Sequence, residues 1–536
     1  MRRVDELTLT EKIGQMVMAG FDGHQPTDGI LRLIRENRLG GVIYFSRNYA
    51  SPRQLHQLSQ RLLEAAREVS DIPLFIAGDQ EGGMVARFTA GITLPPGNMA
   101  IGATRSEVAA CESARICGKE LRLLGVNMNL APCLDINNNP RNPVIGVRSY
   151  GESPDLVAAL GAAAIRGFQE EGVVSTVKHF PGHGDTVVDS HLGLPVIEHD
   201  QERIHAVELV PFRRAVMQGV DAVMTARVVF PALDGSGLPS TLSPAVIDGL
   251  LRGEMLYDGL VLTDCLEMDA IAQYYGVERA AVMAVEAGVD ILLVSHRLDR
   301  QLSVLRTLEE AVQNGRISEE RINRSVERIL RVKQRRLERC SMLPFEEVEP
   351  RLMLPTNQRF VESISQSSIT LVKDERNHLP LDRQKYTCVI WPRVSVASAV
   401  DEIYEQQETL GFCLAADCNN LYERVVDTDP TDEAIVQIVE ECDRCEQVVA
   451  ATYNTALFPQ QAKMIRALHE RYRDKLIVVA VRNPFDLLDF PDVSTYLACY
   501  ESRPQAMRAA ADVLTGKRTA SGRLPVTLSE AHPFVL

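Results

Sequence analysis

The chain has 536 residues, 45% hydrophobic and 24% charged, the balance of a soluble globular protein too long for a single core. A net charge of −15 removes nucleic-acid binding from consideration, because phosphate contacts need a clustered basic surface. No apolar run approaches the roughly 18–20 residues that cross a bilayer, so no membrane partner is expected.

The charged N-terminus, Met1-Arg-Arg-Val-Asp-Glu-Leu-Thr, has no apolar core of a leader peptide, and a cytoplasmic location is expected. Eight short Val/Ile/Leu-rich runs follow, at 13–21, 41–45, 73–79, 125–130, 172–177, 219–224, 259–263 and 288–294. Six of them open on a Gly, the residue that suits the left-handed turn closing a preceding helix. Runs that are apolar on both faces fit buried parallel strands, and the gaps between them are long enough for crossover helices. Eight such units predict a (β/α)₈ TIM barrel over residues 1–340. The alternative, an open doubly wound sheet, lacks its usual G-x-G-x-x-G loop after the first strand.

A charged amphipathic segment at 318–337 reads as the helix closing this unit, and 341–365 as linker. From 366 to 536 the α/β rhythm restarts, with strands expected at 386–391, 447–453, 475–481 and 495–500, a smaller α/β sandwich domain. The 11 cysteines are scattered, several inside apolar runs (Cys133, Cys388, Cys413, Cys499), which fits reduced core thiols. Cys442 and Cys445 form a C-x-x-C with no second pair nearby, and read as part of a helix rather than as a metal or redox site.

In a TIM barrel the site lies at the C-terminal strand ends, and there the polar residues collect. Strand three ends in Gly78-Asp-Gln-Glu-Gly-Gly83, and strand four runs into Asp135-Ile-Asn-Asn-Asn-Pro-Arg-Asn-Pro-Val-Ile-Gly-Val-Arg148. Strand five ends in Lys178-His-Phe-Pro-Gly-His-Gly-Asp-Thr-Val-Val-Asp-Ser-His191, and strand seven in Thr263-Asp264. Acids and bases on one rim can bracket a sugar ring, which suggests glycoside hydrolysis with retention. Asp264 suits the nucleophile, and equally a cap for the helix expected after it. In Asp189-Ser-His191 the carboxylate can fix the imidazole tautomer for acid/base work. The same loop also reads as a hydrogen-bonded structural turn, or as a metal site. No H-E-x-x-H or H-x-H-x-D-H spacing is present, so neither metal nor cofactor is expected.

The stretch from Lys178 to His191 closely resembles the signature of bacterial β-N-acetylglucosaminidases in glycoside hydrolase family 3. The resemblance extends through Asp79-Gln-Glu-Gly-Gly, the Asn137–Arg148 stretch and Leu262-Thr-Asp264, and into Ser368-Ile-Thr-Leu-Val-Lys and Ser521-Gly-Arg-Leu-Pro-Val. It implies a two-domain enzyme of peptidoglycan recycling, with Asp264 as nucleophile and His191, paired with Asp189, as acid/base. It further implies that Asp79, Arg87, Arg148, Lys178 and His179 hold a GlcNAc-type sugar, the two arginines being open also to a loop-bracing role. A phosphorylase using the same intermediate, or a non-catalytic sugar-binding protein, are the alternatives. Two positions depart from the usual pattern: Met84 where an Arg is common and Arg227 where a His is common. Both are expected near the leaving-group side, with Arg227 favouring an acidic aglycone.

Overall fold

The computed structural model describes residues 2–188, 193–338, 342–393, 406 and 408–534. Eight strands form one parallel sheet: Val17–Ala19 (β1), Gly41–Tyr44 (β2), Phe75–Gly78 (β3), Met128–Asn129 (β4), Val174–Phe180 (β5), Ala222–Thr225 (β6), Leu260–Leu262 (β7) and Leu292–Val294 (β8). Neighbours pair in chain order and β8 pairs with β1. A parallel bridge between Leu262 and Ile291 brings β7 onto the β8 segment, so the sheet closes on itself. Six of the eight strands fall within the expected apolar runs, while β5 and β6 begin inside theirs and run on to Phe180 and Thr225.

The helices between them start where short polar side chains can take the first free amides. Thr27, Ser51, Ser106, Ser153 and Ser318 each accept from the backbone N–H three residues on. Gly125, Gly172, Gly219 and Gly288 adopt positive φ before their strands, as the turn geometry requires. At β2 and β7 the left-handed residues are instead Arg38 and Leu256. The helix Glu319–Leu337 sends Lys333 to the barrel's N-terminal end, where its Nζ donates to Gln15 Oε1 at 2.7 Å and to the Gly40 carbonyl at 2.8 Å. Burial holds that ammonium well below the usual lysine range.

The second body is a six-stranded mixed sheet: Thr370–Asp374 (β9), Thr387–Pro392 (β10), Leu421–Val426 (β11), Gln447–Thr452 (β12), Leu476–Ala480 (β13) and Thr495–Ala498 (β14). Its order is β9-β14-β13-β12-β10-β11, with β9 antiparallel at one edge. The sequence reading found the four inner strands and missed both edges. In β9 and β11 most side chains are only partly buried, so the hydrophobic signal is weak there. The stretch read as linker carries the helix Phe345–Val348 and much of Pro355–Ser368, which packs on both Asn98–Thr104 of the barrel and Pro504–Leu514 of the second body. The described cysteines are free thiols, and Cys442 lies 3.8 Å from Cys388. Among the described residues no helix is long and apolar enough to cross a membrane.

Candidate active site

The C-terminal strand ends surround a cleft of about 450 Å³, within the ordinary range for a small-molecule site. Asp79 follows β3 directly, Lys178 and His179 lie on β5, Arg148 closes the turn Gly146–Arg148, and Asp264 stands two residues past β7. Arg87, Glu81, His183 and Arg227 line the same cleft. Six of the eight residues singled out from sequence therefore meet at one place. Asp189 and His191 lie outside the described residues.

One wall is an ionic cage. Lys178 Nζ sits 2.7 Å from both Asp79 Oδ1 and Glu81 Oε1. Arg148 grips Glu81 with two parallel bonds, Nε to Oε2 at 3.0 Å and Nη2 to Oε1 at 2.8 Å. Arg87 Nη2 reaches Asp79 Oδ2 at 3.4 Å. The Glu81, Arg148 and Lys178 side chains are each under 5% exposed, so their charges are desolvated and depend on one another. Burial alone would raise the Glu81 carboxyl, yet Arg148 and Lys178 hold it well below the usual range. Asp79 is likewise lowered: the charges of Lys178 and Arg87 outweigh the opposing effect of burial. Glu81 was inside a motif flagged from sequence but received no role there.

A second group orients the imidazole next to the cage. Asp135, fully buried after β4, accepts from His179 Nδ1 at 2.6 Å, from the His183 amide at 2.7 Å and from Cys133 Sγ at 3.1 Å. Burial opposes its ionisation, but His179, His183 and the Cys133 thiol bring its carboxyl down to about 2. An ionised Asp135 makes Nδ1 the protonated nitrogen of His179 and leaves Nε2 for the cleft. Cys133, Asp135 and His179 also have ligand atoms within 4.8 Å of one another, close enough to hold a metal ion, though these atoms are engaged with each other. Only the position of Asp135 at a strand mouth could have flagged it in sequence.

The loop after β5 turns because Gly184 lies against the Ile136 carbonyl, where an added Cβ would come within 1.7 Å of the oxygen. Asn142 holds the turn by donating to the carbonyls of His183 and Gly184 at 2.9 and 3.0 Å. Asp185 points elsewhere, accepting from His199 Nε2 at 2.5 Å. Burial, then the neighbouring His179, brings His183 down to about 4. Its unfolded value is near 6.5, so between those limits the unfolded chain takes up a proton that the folded one refuses. Stability contributed by neutral His183 is therefore complete above about pH 6.5 and lost as pH falls toward 4. The urea midpoint of the wild type should drop between pH 7 and 5, and less steeply in His183→Asn. An equal drop in both would refute this role.

Opposite the cage stands Asp264. Its Oδ1 accepts from the Cys265 amide at 2.6 Å and its Oδ2 from Arg227 Nη2 at 3.0 Å. The next helix begins only at Asp269, so Asp264 does not cap it. The Asp264 side chain is 21% exposed and Arg227 only 3%, which leaves the carboxylate as the group open to a ligand. Arg227 thus engages the candidate nucleophile itself. Met84, the other departure, is buried in the apolar cluster of the second body.

The profile described as the glycosyl hydrolase family 3 N-terminal domain matches residues 8–332, and that of the family's C-terminal domain matches residues 369–533. A solved glycoside hydrolase family 3 β-N-acetylglucosaminidase from Paenibacillus sp. str. FPU-7 is 50% identical, with a TM-score of 0.93 over 99% of this chain and 100% of that one. β-Hexosaminidase A of Pseudoalteromonas piscicida is 30% identical over 98% of this chain and 97% of its own length. A β-N-acetylglucosaminidase/β-glucosidase of Cellulomonas fimi is 28% identical over 86% of this chain and 84% of its own length.

Proposed function

This chain belongs to glycosyl hydrolase family 3, and from that premise we propose that it is a retaining exo-β-N-acetylglucosaminidase of the cytoplasm, releasing terminal GlcNAc from peptidoglycan fragments. The observation that carries this reading is Asp264, partly open to a cleft whose facing wall is the charged cage of Asp79, Glu81, Arg87, Arg148 and Lys178. The names of the similar proteins from Paenibacillus and Pseudoalteromonas support an N-acetylhexosamine as the sugar. The free thiols suit a reducing compartment.

In this mechanism the cage and His179 accept and donate hydrogen bonds to the sugar hydroxyls, and fix the anomeric carbon over Asp264. The Asp264 carboxylate attacks that carbon as the glycosidic bond breaks. His191, oriented by Asp189, gives its proton to the departing oxygen. The neutral imidazole then takes a proton from water, whose oxygen displaces Asp264 and restores the β configuration. Backbone and guanidinium donors on Asp264 stabilise its charge when it leaves.

The test is release of p-nitrophenol from its β-N-acetylglucosaminide and its β-glucoside, with and without phosphate. Turnover of the N-acetyl substrate without phosphate, giving free GlcNAc, is the expected result. A phosphate-dependent rate yielding the sugar 1-phosphate, or preference for the plain glucoside, would overturn it.

A further inference from the structure

We propose that the second domain is a positioning element of the active site, acting through a clamp in which Glu501, Arg503 and Met84 fix the loop that carries Asp79, Glu81 and Arg87. This rests on the sugar-binding role given to the cage above. Every described residue lining the cleft lies between Ile43 and His296, so the described residues of the second domain bear on the cleft through what they hold. What it holds is the segment from 79 to 97, which leaves β3, forms the hairpin of Gln80–Gly82 with Val85–Ala86, and ends at the helix Asn98–Thr104.

Past β14 the chain turns through Glu501, Ser502 and Arg503 before the helix Pro504–Leu514. Glu501 Oε2 accepts from the Gly97 amide at 2.8 Å, and Arg503 Nε donates to the Gly83 carbonyl at 2.8 Å. Gln505 adds a bond to the Leu94 carbonyl at 3.3 Å. The Gly83 amide meanwhile donates to the Pro95 carbonyl at 2.9 Å, tying the two arms of the loop together. Gly83 has a φ of +54°, and a Cβ there would lie 2.7 Å from Glu501 Oε2 and 2.6 Å from Gly97 Cα. No side chain fits, so loop and second domain meet backbone to carboxylate. Glu501 and Arg503 are 1% and 3% exposed, which makes their bonds costly to lose.

Met84 completes the grip by entering the apolar cluster that contains Trp391 and Tyr500, with Ser502 Oγ 3.9 Å from its sulfur. An arginine at this position would have to bury its charge there. Residues 83 and 84 are thus anchored on the domain side while Glu81, two residues back, holds Arg148 and Lys178 in the cleft. A shift of the anchor moves Glu81, and small misplacements of a binding group carry large kinetic costs.

The experiment uses the full chain and the variants E501A, E501Q, R503M and Q505A. Each is assayed for KM and kcat on p-nitrophenyl β-N-acetylglucosaminide and for hydrogen exchange of peptides from 79 to 97. E501A and R503M should raise KM about tenfold with a smaller fall in kcat, and speed exchange in that loop but not in β5 to β7. E501Q, which keeps an oxygen for the Gly97 amide, should recover most of the loss. Unchanged loop exchange in E501A, or faster loop exchange with unchanged KM, overturns the clamp. If E501A and R503M unfold throughout, the milder Q505A decides by the same two readouts. An inactive wild type would overturn the function proposed above, and loop exchange alone would then decide the clamp.

Discussion

Asparagine in place of Asp264 is expected to lower kcat on aryl β-N-acetylglucosaminides by about 10⁴-fold or more, with the fold intact. The amide keeps the size, and its one oxygen can still accept from the Cys265 amide or from Arg227, which in the wild type bond to Oδ1 and Oδ2 at 2.6 and 3.0 Å. What it loses is the anionic oxygen that attacks the anomeric carbon. A side chain 21% exposed in an otherwise buried setting makes this a clean deletion of chemistry rather than of packing. Replacement by glycine goes further, because it leaves room for a small anion. Azide should then restore turnover of a substrate with a good leaving group and give the glycosyl azide of inverted configuration, since a single displacement has replaced two. Residual activity of D264N within about tenfold of wild type would place the nucleophile elsewhere. An azide product of retained configuration would contradict a direct displacement at the Asp264 position.

Removing the carboxylate of Glu81 should have the largest effect on stability. Glu81→Leu leaves Arg148 and Lys178 buried without the group that bonds both, and the expected loss is about 3–5 kcal/mol in urea denaturation. Activity should fall with it, because the cage no longer has one geometry. The double variant Glu81→Leu, Arg148→Met separates the two effects: it should regain much of the stability and none of the activity. A Glu81→Leu protein as stable as the wild type would mean that solvent reaches these charges. A double variant that regains activity would mean that the cage is structural and the sugar binds elsewhere.

How much of this was legible beforehand differs from element to element. The run at 172–177 announces β5 by its own β-branched residues, and the polar residues of Lys178–His191 announce a loop beyond it. The edge strands β9 and β11 were not legible, since half-exposed strands have no continuous apolar run. Within the site, Asp79, Lys178, His179, Arg148 and Asp264 stood out as unusual residues at strand mouths. Glu81 sat in the same motif as Asp79, and nothing local distinguished its part. Asp135 and Arg227 were visible as residues but not as partners of His179 and Asp264.

Sequence by itself therefore determined the strand and helix order, the rim where chemistry gathers and the kind of residue found there. Those properties follow from periodicity, capping and turn chemistry, which act over a few residues. Tertiary structure alone decided who meets whom. Glu81 joins Arg148 across 67 residues, His179 joins Asp135 across 44, and Arg503 joins the Gly83 carbonyl across 420. Such pairings exist only once the barrel has closed and the second domain has docked. An ion pair forms where two charges share a desolvated space, and chain distance carries no information about that space.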